Sequence, residues 1–465
     1  MKRYVSIDFL KGFSILVMLI LHIFIETYNP EILLEIISSS DGSIWLKIVV
    51  VVIVFIGSFA GLFFIISGFG NIISMRKQYD RLVVEHPETA HKKVRKSIVF
   101  RGLLMFFIGY FITAFFWPIG LSPLELLFFQ EFTSTVWLRF FHNLYFFEVV
   151  QCIGLAQIFL GLIYTSCLKR NLDLKIIKRI LWGIVIGIFV ITPGVLFGIR
   201  AIPGFWPRPH VGFETRSFGI NLAFFFLNII GGHTQAIFPW FAMIFIGALL
   251  ALDLYNNAVT KRYRNKWLII GSSMFILGLA LQFLFSFIAG KLDATTSTYF
   301  EYGFGALFDL SAPSTSYMLL VGGGEIIVMT LLLWFVEGKR RAKKFAENTV
   351  LIRRIGVISL SVYALQSLTV IPIILFLTAF GLDPLANQAN IWQSLAIIVA
   401  CLAIWLPALF HWENSKFILS PDWFFSKIIN RNRKDALKRL NPTEVLYKVE
   451  PLGEPPIEDI DKKND

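Results

Sequence analysis

The chain has 465 residues, a formal net charge of +12 and 56% apolar residues, with 48 phenylalanines among them. The apolar residues gather in blocks of about 20, which excludes an ordinary soluble domain and an alternating β-barrel and points to an all-α polytopic membrane helix bundle. The positive charge flanks the apolar blocks on one side, so no nucleic-acid partner is expected. Cys152, Cys167 and Cys401 lack the paired spacing of a disulfide framework or a zinc site.

Ten spans are expected, at roughly 9–28, 50–75, 97–119, 143–167, 180–199, 236–255, 267–289, 315–337, 357–380 and 391–411. The first is expected to stay in the protein, because Lys11 interrupts it and no small-residue cleavage site follows. The second block is too long for one straight span, and Gly57 and Gly61 mark 44–56 as a tilted or interfacial lead-in. A shorter apolar piece at 217–230 suits a re-entrant or interfacial segment. Lys and Arg crowd the loops at 2–3, 76–96, 169–179, 261–266 and 339–354. The alternate loops carry few, beside Glu26, Glu31, Glu125, Glu214 and Asp293. The positive-inside rule then places both termini of this cell-membrane protein in the cytoplasm. Residues 1–411 form the membrane domain. Residues 412–465 form a cytoplasmic tail, with an amphipathic helix near 423–440 and a disordered acidic end. Trp117, Trp137, Phe205, Trp206, Tyr299, Phe300 and Tyr302 gather in the outer loops, as an interfacial aromatic belt or as a stacking platform for a sugar.

Several polar residues interrupt the apolar blocks. Asp8, Lys11 and His22 share one face of the first span, since separations of 14 and 11 residues return to nearly the same azimuth. Lys11 and His22 are then about 16 Å apart along the axis. An imidazole inside a membrane helix is costly unless it meets protein, water or substrate. Glu148 and Gln151, three apart on the fourth span, fall at the same outer depth as His22. A carboxylate beside an imidazole fixes its tautomer and raises its basicity, as a general base requires. Glu148 can equally satisfy a polar group of a neighbouring helix. Glu325 follows Gly322, Gly323 and Gly324 in mid-membrane and is open between structural pairing and proton handling. Gln366 and Asn71 suit interhelical hydrogen bonds, and His210 and His233 lie on the outer side. Arg101, beside the basic run 92–96, either snorkels or binds phosphate together with Lys11. The sequence has no phosphate-cradling glycine loop, nucleophile elbow or zinc-ligand pair at helical spacing.

Taken together, Ser6-Ile-Asp8-Phe-Leu-Lys11-Gly12 with His22 resembles the opening of the transmembrane acyl transferase superfamily. That superfamily includes the acyltransferase-3, heparan-alpha-glucosaminide N-acetyltransferase-like and YeiB-like proteins. The resemblance extends to Leu62-Phe-Phe-Ile-Ile-Ser67-Gly68, Arg101-Gly102-Leu103, Glu148-Val-Val-Gln151-Cys-Ile-Gly154, Phe238-Pro-Trp with Gly247, Ser314 to Leu320, Gly356 to Gln366, and Phe417 to Trp423. At position 11, Lys stands where Arg is commoner, which keeps the charge and loses the bidentate fork. The resemblance implies an acetyl-CoA or other acyl-CoA co-substrate entering from the cytoplasm, held by Lys11, Arg101 and Asp8, with no metal. Its pantetheine arm would reach toward His22, the general base or acyl carrier, with Glu148 as orienting partner. Gln151, Glu325, Gln366, Ser67 and His233 are then candidate substrate-binding residues. The acceptor would be an extracytoplasmic glycan or glycolipid.

A second reading, a proton-coupled transporter of a small acidic or amphipathic solute, would use Lys11, His22 and Glu325 as a relay. The sequence lacks the internal repeat and the Pro/Gly-broken helix pairs that such a transporter usually carries.

Overall fold

The computed structural model describes residues 2–28, 44–45, 48, 60–116, 143–205, 216–232, 235–255, 258–305, 313–382, 389–429, 440–448 and 450–451. The helices, in chain order, are α1 (Val5–Thr27), α2 (Ala60–Glu85), α3 (Ala90–Phe116), α4 (Val149–Lys169), α5 (Leu174–Arg200), α6 (Phe218–Leu227), α7 (Ile237–Leu254) and α8 (Lys261–Ile288). They continue with α9 (Ala294–Phe304), α10 (Thr315–Leu333), α11 (Ala342–Asn348), α12 (Val350–Val357), α13 (Ser359–Leu365), α14 (Val370–Ala379), α15 (Ile391–Asn414) and α16 (Pro421–Ile429). The fold is all-α. Among the described residues the extended structure is a two-residue parallel pairing of β1 (Lys2–Arg3) with β2 (Glu450–Pro451).

Nine helical runs among the described residues are long and apolar enough to cross a membrane. They correspond to nine of the ten expected spans. The remaining one, expected at 50–75, begins outside the described residues and continues as α2. That helix runs on to Glu85, and α3 resumes at Ala90, so most of the basic stretch expected as a loop is helical. The short piece expected at 217–230 is α6 followed by a π-helical turn, Asn228–Gly232.

The chain divides into two compact units. Of the described residues, the first holds those in 2–60, 115–116 and 341–451, and the second those in 61–114 and 143–340. In the first unit α1 lies along α12. A Cβ at Gly12 would collide with the Ile352 carbonyl oxygen, and one at Gly356 with the Asp8 carbonyl oxygen. Each helix therefore needs its glycine for the other's backbone to come so close. The described tail residues pack into this unit. The expected amphipathic helix near 423–440 is seen as α16, and residues 430–439 lie outside the described residues.

The second unit is built around α7, which is buried along nearly its whole length. Its approach to α2 repeats the arrangement of the first unit: Gly247 faces the Ile65 carbonyl and Gly68 the Ile244 carbonyl, with no room at either for a Cβ. Gly102 of α3 and Gly154 of α4, and likewise Gly271 of α8 and Gly323 of α10, make the same reciprocal contact.

Candidate functional site

In the first unit, α1 carries Asp8, Lys11 and His22. Asp8 Oδ1 takes an ion pair from Arg3 Nη2 at 2.9 Å. Lys11 is partly exposed. His22 lies about 16 Å further along the axis, where its Nδ1 is 2.9 Å from Oε1 of Gln366. A carboxamide oxygen only accepts, so Nδ1 carries a proton in this bond; when the imidazole is neutral, Nε2 is then its basic nitrogen.

Gln366 owes its position to a broken helix. The expected span 357–380 is divided at Ile358, which leaves helical geometry (φ −115°, ψ 40°), and again at a 3-10 turn, Gln366–Thr369, where Gln366 is the first residue. A break at membrane depth leaves backbone groups that need partners. Asp422 of α16 supplies one. Its Oδ2 accepts from the Ser361 backbone N–H at 2.9 Å and from Ser361 Oγ at 2.8 Å, and its own N–H donates to Ser361 Oγ at 3.1 Å. A residue of the tail thus caps the helix that leads to Gln366. The neighbouring Arg353 is fully buried and donates to the carbonyls of Ala346, Val445 and Leu446. Arg354 pairs with Glu413, which also accepts from the Tyr447 hydroxyl at 2.8 Å.

In the second unit, Glu148 is the N-cap of α4 rather than a residue within it, buried to 3% exposure and making no side-chain cap bond. Three residues on, Gln151 Nε2 donates to Thr113 Oγ1 at 2.7 Å, which fixes α4 to α3 beside Gly109. Ser67, Asn71 and Ser74 form a polar stripe on α2 at helical spacing. Asn71 donates to Ser67 at 3.4 Å, and Arg101 of α3 donates to Ser74 at 3.1 Å. The Glu325 carboxylate lies against the backbone of Gly61 and Leu62, and no described side chain bonds to it. His233 lies outside the described residues.

The structure therefore brings His22 and Gln366 together, sets Glu148 and Gln151 on one turn, and lines Ser67 up with the Arg101 partner Ser74. Sequence reasoning missed Asp422, Arg353 and Arg354. The first had a signal: Ser420-Pro421-Asp422 is a helix-start pattern, with Ser420 Oγ accepting from Trp423 N at 3.0 Å. The paired arginines read as one more basic loop.

The family model of the acyltransferase-3 domain matches residues 4–410. The chain belongs to the acyltransferase-3 family. No curated protein matches it. With nine apolar helices among its described residues, this family member is an integral membrane acyltransferase. The matched stretch contains His22, Glu148, Glu325 and Gln366, and stops short of Glu413, Asp422 and the 440–451 segment.

Proposed function

We propose that this acyltransferase moves an acetyl or other short acyl group from cytoplasmic acyl-CoA to an extracytoplasmic glycan or glycolipid. The observation that supports this most is the His22–Gln366 bond, which presets the tautomer a general base needs. In this reading Nε2 of His22 deprotonates the acceptor hydroxyl or amine, or takes the acyl group before passing it on. Glu148 is the second catalytic group, a buried carboxyl able to exchange a proton. Lys11 and Arg101 supply the positive charge that acyl-CoA phosphates require, and Asp8 orders the segment around Lys11 through Arg3. Gln151, Ser67, Glu325 and Gln366 are assigned to substrate binding, and His233, outside the described residues, is assigned to it from the sequence alone. The charge pattern of the loops supports cytoplasmic termini, with residues 1–411 as the membrane domain and the remainder as its tail.

The test uses membranes containing the protein and acetyl-CoA labelled in the acetyl group. Label should pass to envelope material, and His22→Ala should lower the rate by roughly a hundredfold or more while acetyl-CoA binding persists. Gln366→Ala should lower kcat without weakening acetyl-CoA binding. Full activity in His22→Ala would end the catalytic assignment. Solute flux without label transfer would favour the transporter instead.

A further inference from the structure

Asn228 of the second unit is wholly buried, and among the described residues neither its Oδ1 nor its Nδ2 has a hydrogen-bond partner. A buried carboxamide left without partners is costly. It stands at the first position of the π-helical turn Asn228–Gly232, a local irregularity found disproportionately at functional sites. Seven residues earlier on the same face lies Asn221, also buried, while Phe218, Ile220, Leu222 and Phe226 are exposed. The helix thus turns its amides inward and its apolar side outward.

The surroundings of Asn228 join it to the start of α4. The carboxamide oxygen lies over Gly232, where an added Cβ would be 2.7 Å from Oδ1 and 2.5 Å from the Phe205 ring. Phe205 in turn meets Phe224 edge-on at 5.1 Å. Phe225, one turn before Asn228, contacts Tyr145 at 5.8 Å and Tyr110 at 5.9 Å. The Tyr110 hydroxyl is itself buried without a partner. Tyr145 is three residues before Glu148. On its other side, Cys152 packs its Sγ 4.0 Å from the carbonyl of Ala236, four residues after Gly232. Phe225 and Ala236 therefore touch the chain on the two sides of Glu148.

We propose that Asn228, walled by Phe205, is a binding group for an uncharged, hydroxyl-rich ligand beside Glu148. A hydroxyl can donate to Oδ1 and accept from Nδ2 in one contact, which satisfies both atoms. The ring supplies the apolar face against which the C–H side of a sugar packs. The carboxamide is itself uncharged, and a buried neutral group suits a neutral hydroxyl better than a full charge. The inference deepens the acyltransferase reading by placing part of the acceptor site, and it rests on that reading for the ligand's identity as acceptor.

The experiment compares wild type, Asn228→Leu and Asn228→Ser in lipid nanodiscs free of sugar detergent. Three quantities are read: the melting temperature without ligand, binding of glucose, galactose, N-acetylglucosamine and chitotetraose, and binding of acetyl-CoA. Wild type should bind at least one sugar, and both variants should bind it at least tenfold more weakly. Asn228→Leu should melt at or above the wild-type temperature, since no internal bond is lost. Acetyl-CoA binding should be unchanged in all three. Absence of sugar binding by wild type, or equal binding by the variants, overturns the proposal. So does a lower melting temperature in both variants, which would assign Asn228 a structural role. Failure of acetyl-CoA binding with sugar binding intact would instead strike the donor assignment and leave this site standing.

Discussion

Arg353→Met tests whether the tail is an integral part of the first unit. Arg353 is fully buried, and its guanidinium donates to Ala346 O at 3.1 Å, Leu446 O at 3.1 Å and Val445 O at 2.7 Å. Methionine fills similar space and removes every donor, so three buried carbonyls lose their partner. Two of the three bonds join the segment carrying Val445 and Leu446 to α12. At about 1 kcal/mol each for the net loss, that segment is loosened by about 2 kcal/mol, and the cost falls on local undocking rather than on the whole bundle. Since each 1.36 kcal/mol is a factor of ten, undocking should become roughly thirtyfold more frequent. Hydrogen exchange reads this at two amides, Val445, bonded to Asn441 O at 3.0 Å, and Lys448, bonded to Thr443 O at 2.8 Å. Both should exchange roughly thirty times faster in the variant, and Arg353→Lys, with a single donor centre, should fall between. Exchange within threefold of wild type would refute the idea that Arg353 holds the segment.

Gly68→Ala should abolish recovery of folded protein, because its Cβ would meet the Ile244 carbonyl of α7, whereas Gly70→Ala, with nothing within 4 Å, should be neutral or stabilising by about 0.5–1 kcal/mol. Size-exclusion yield and melting temperature compare the two, and equal yields would refute the close approach. Asp422→Ala removes the acceptor that caps α13 and should cost about 1–2 kcal/mol. It should also slow acetyl transfer through Gln366, with Asp422→Asn partly restoring both; an unchanged rate and melting temperature would contradict this. Glu325→Gln replaces a buried carboxyl, which no described side chain bonds, by a neutral amide of the same shape, so the melting temperature should hold or rise. A fall of more than about 5 °C would show that the carboxylate is structurally paired.

The bundle was legible because membrane helices announce themselves by block length and by flanking charge, and neither signal depends on tertiary context. Nine expected spans coincide with described helices for that reason. The broken span at 357–380 was not legible. Nothing in Val357-Ile358-Ser359 forbids a helix. At the break, Ser361 N–H is shared between the Ile358 carbonyl and Asp422, which lies more than sixty residues away in the sequence. The same limit applies to the candidate site. Helical spacing placed Asp8, Lys11 and His22 on one face and Glu148 with Gln151, but it could not name the partner of His22, since Gln366 comes from 344 residues further on. Asn228 escaped notice because an asparagine in a short apolar piece has no distinguishing pattern until its burial and unmet bonds are seen.

The residues that carry the family resemblance separate into two kinds once their surroundings are known. Gly12, Gly68, Gly102, Gly154, Gly247 and Gly356 all sit where another helix's backbone leaves no room for a Cβ. Packing alone requires them, so they identify a fold and argue nothing about chemistry. The polar members divide again. Gln151 and Arg101 bond to Thr113 and Ser74 and so contribute to holding helices together. Asp8 is engaged by Arg3. His22 differs from these, because its bond to Gln366 fixes which nitrogen carries the proton, and a helix contact does not require that. A residue whose environment sets its protonation geometry, on a face otherwise shaped by close packing, is where reaction chemistry is best sought. By that criterion His22 outranks the other candidates of the first unit.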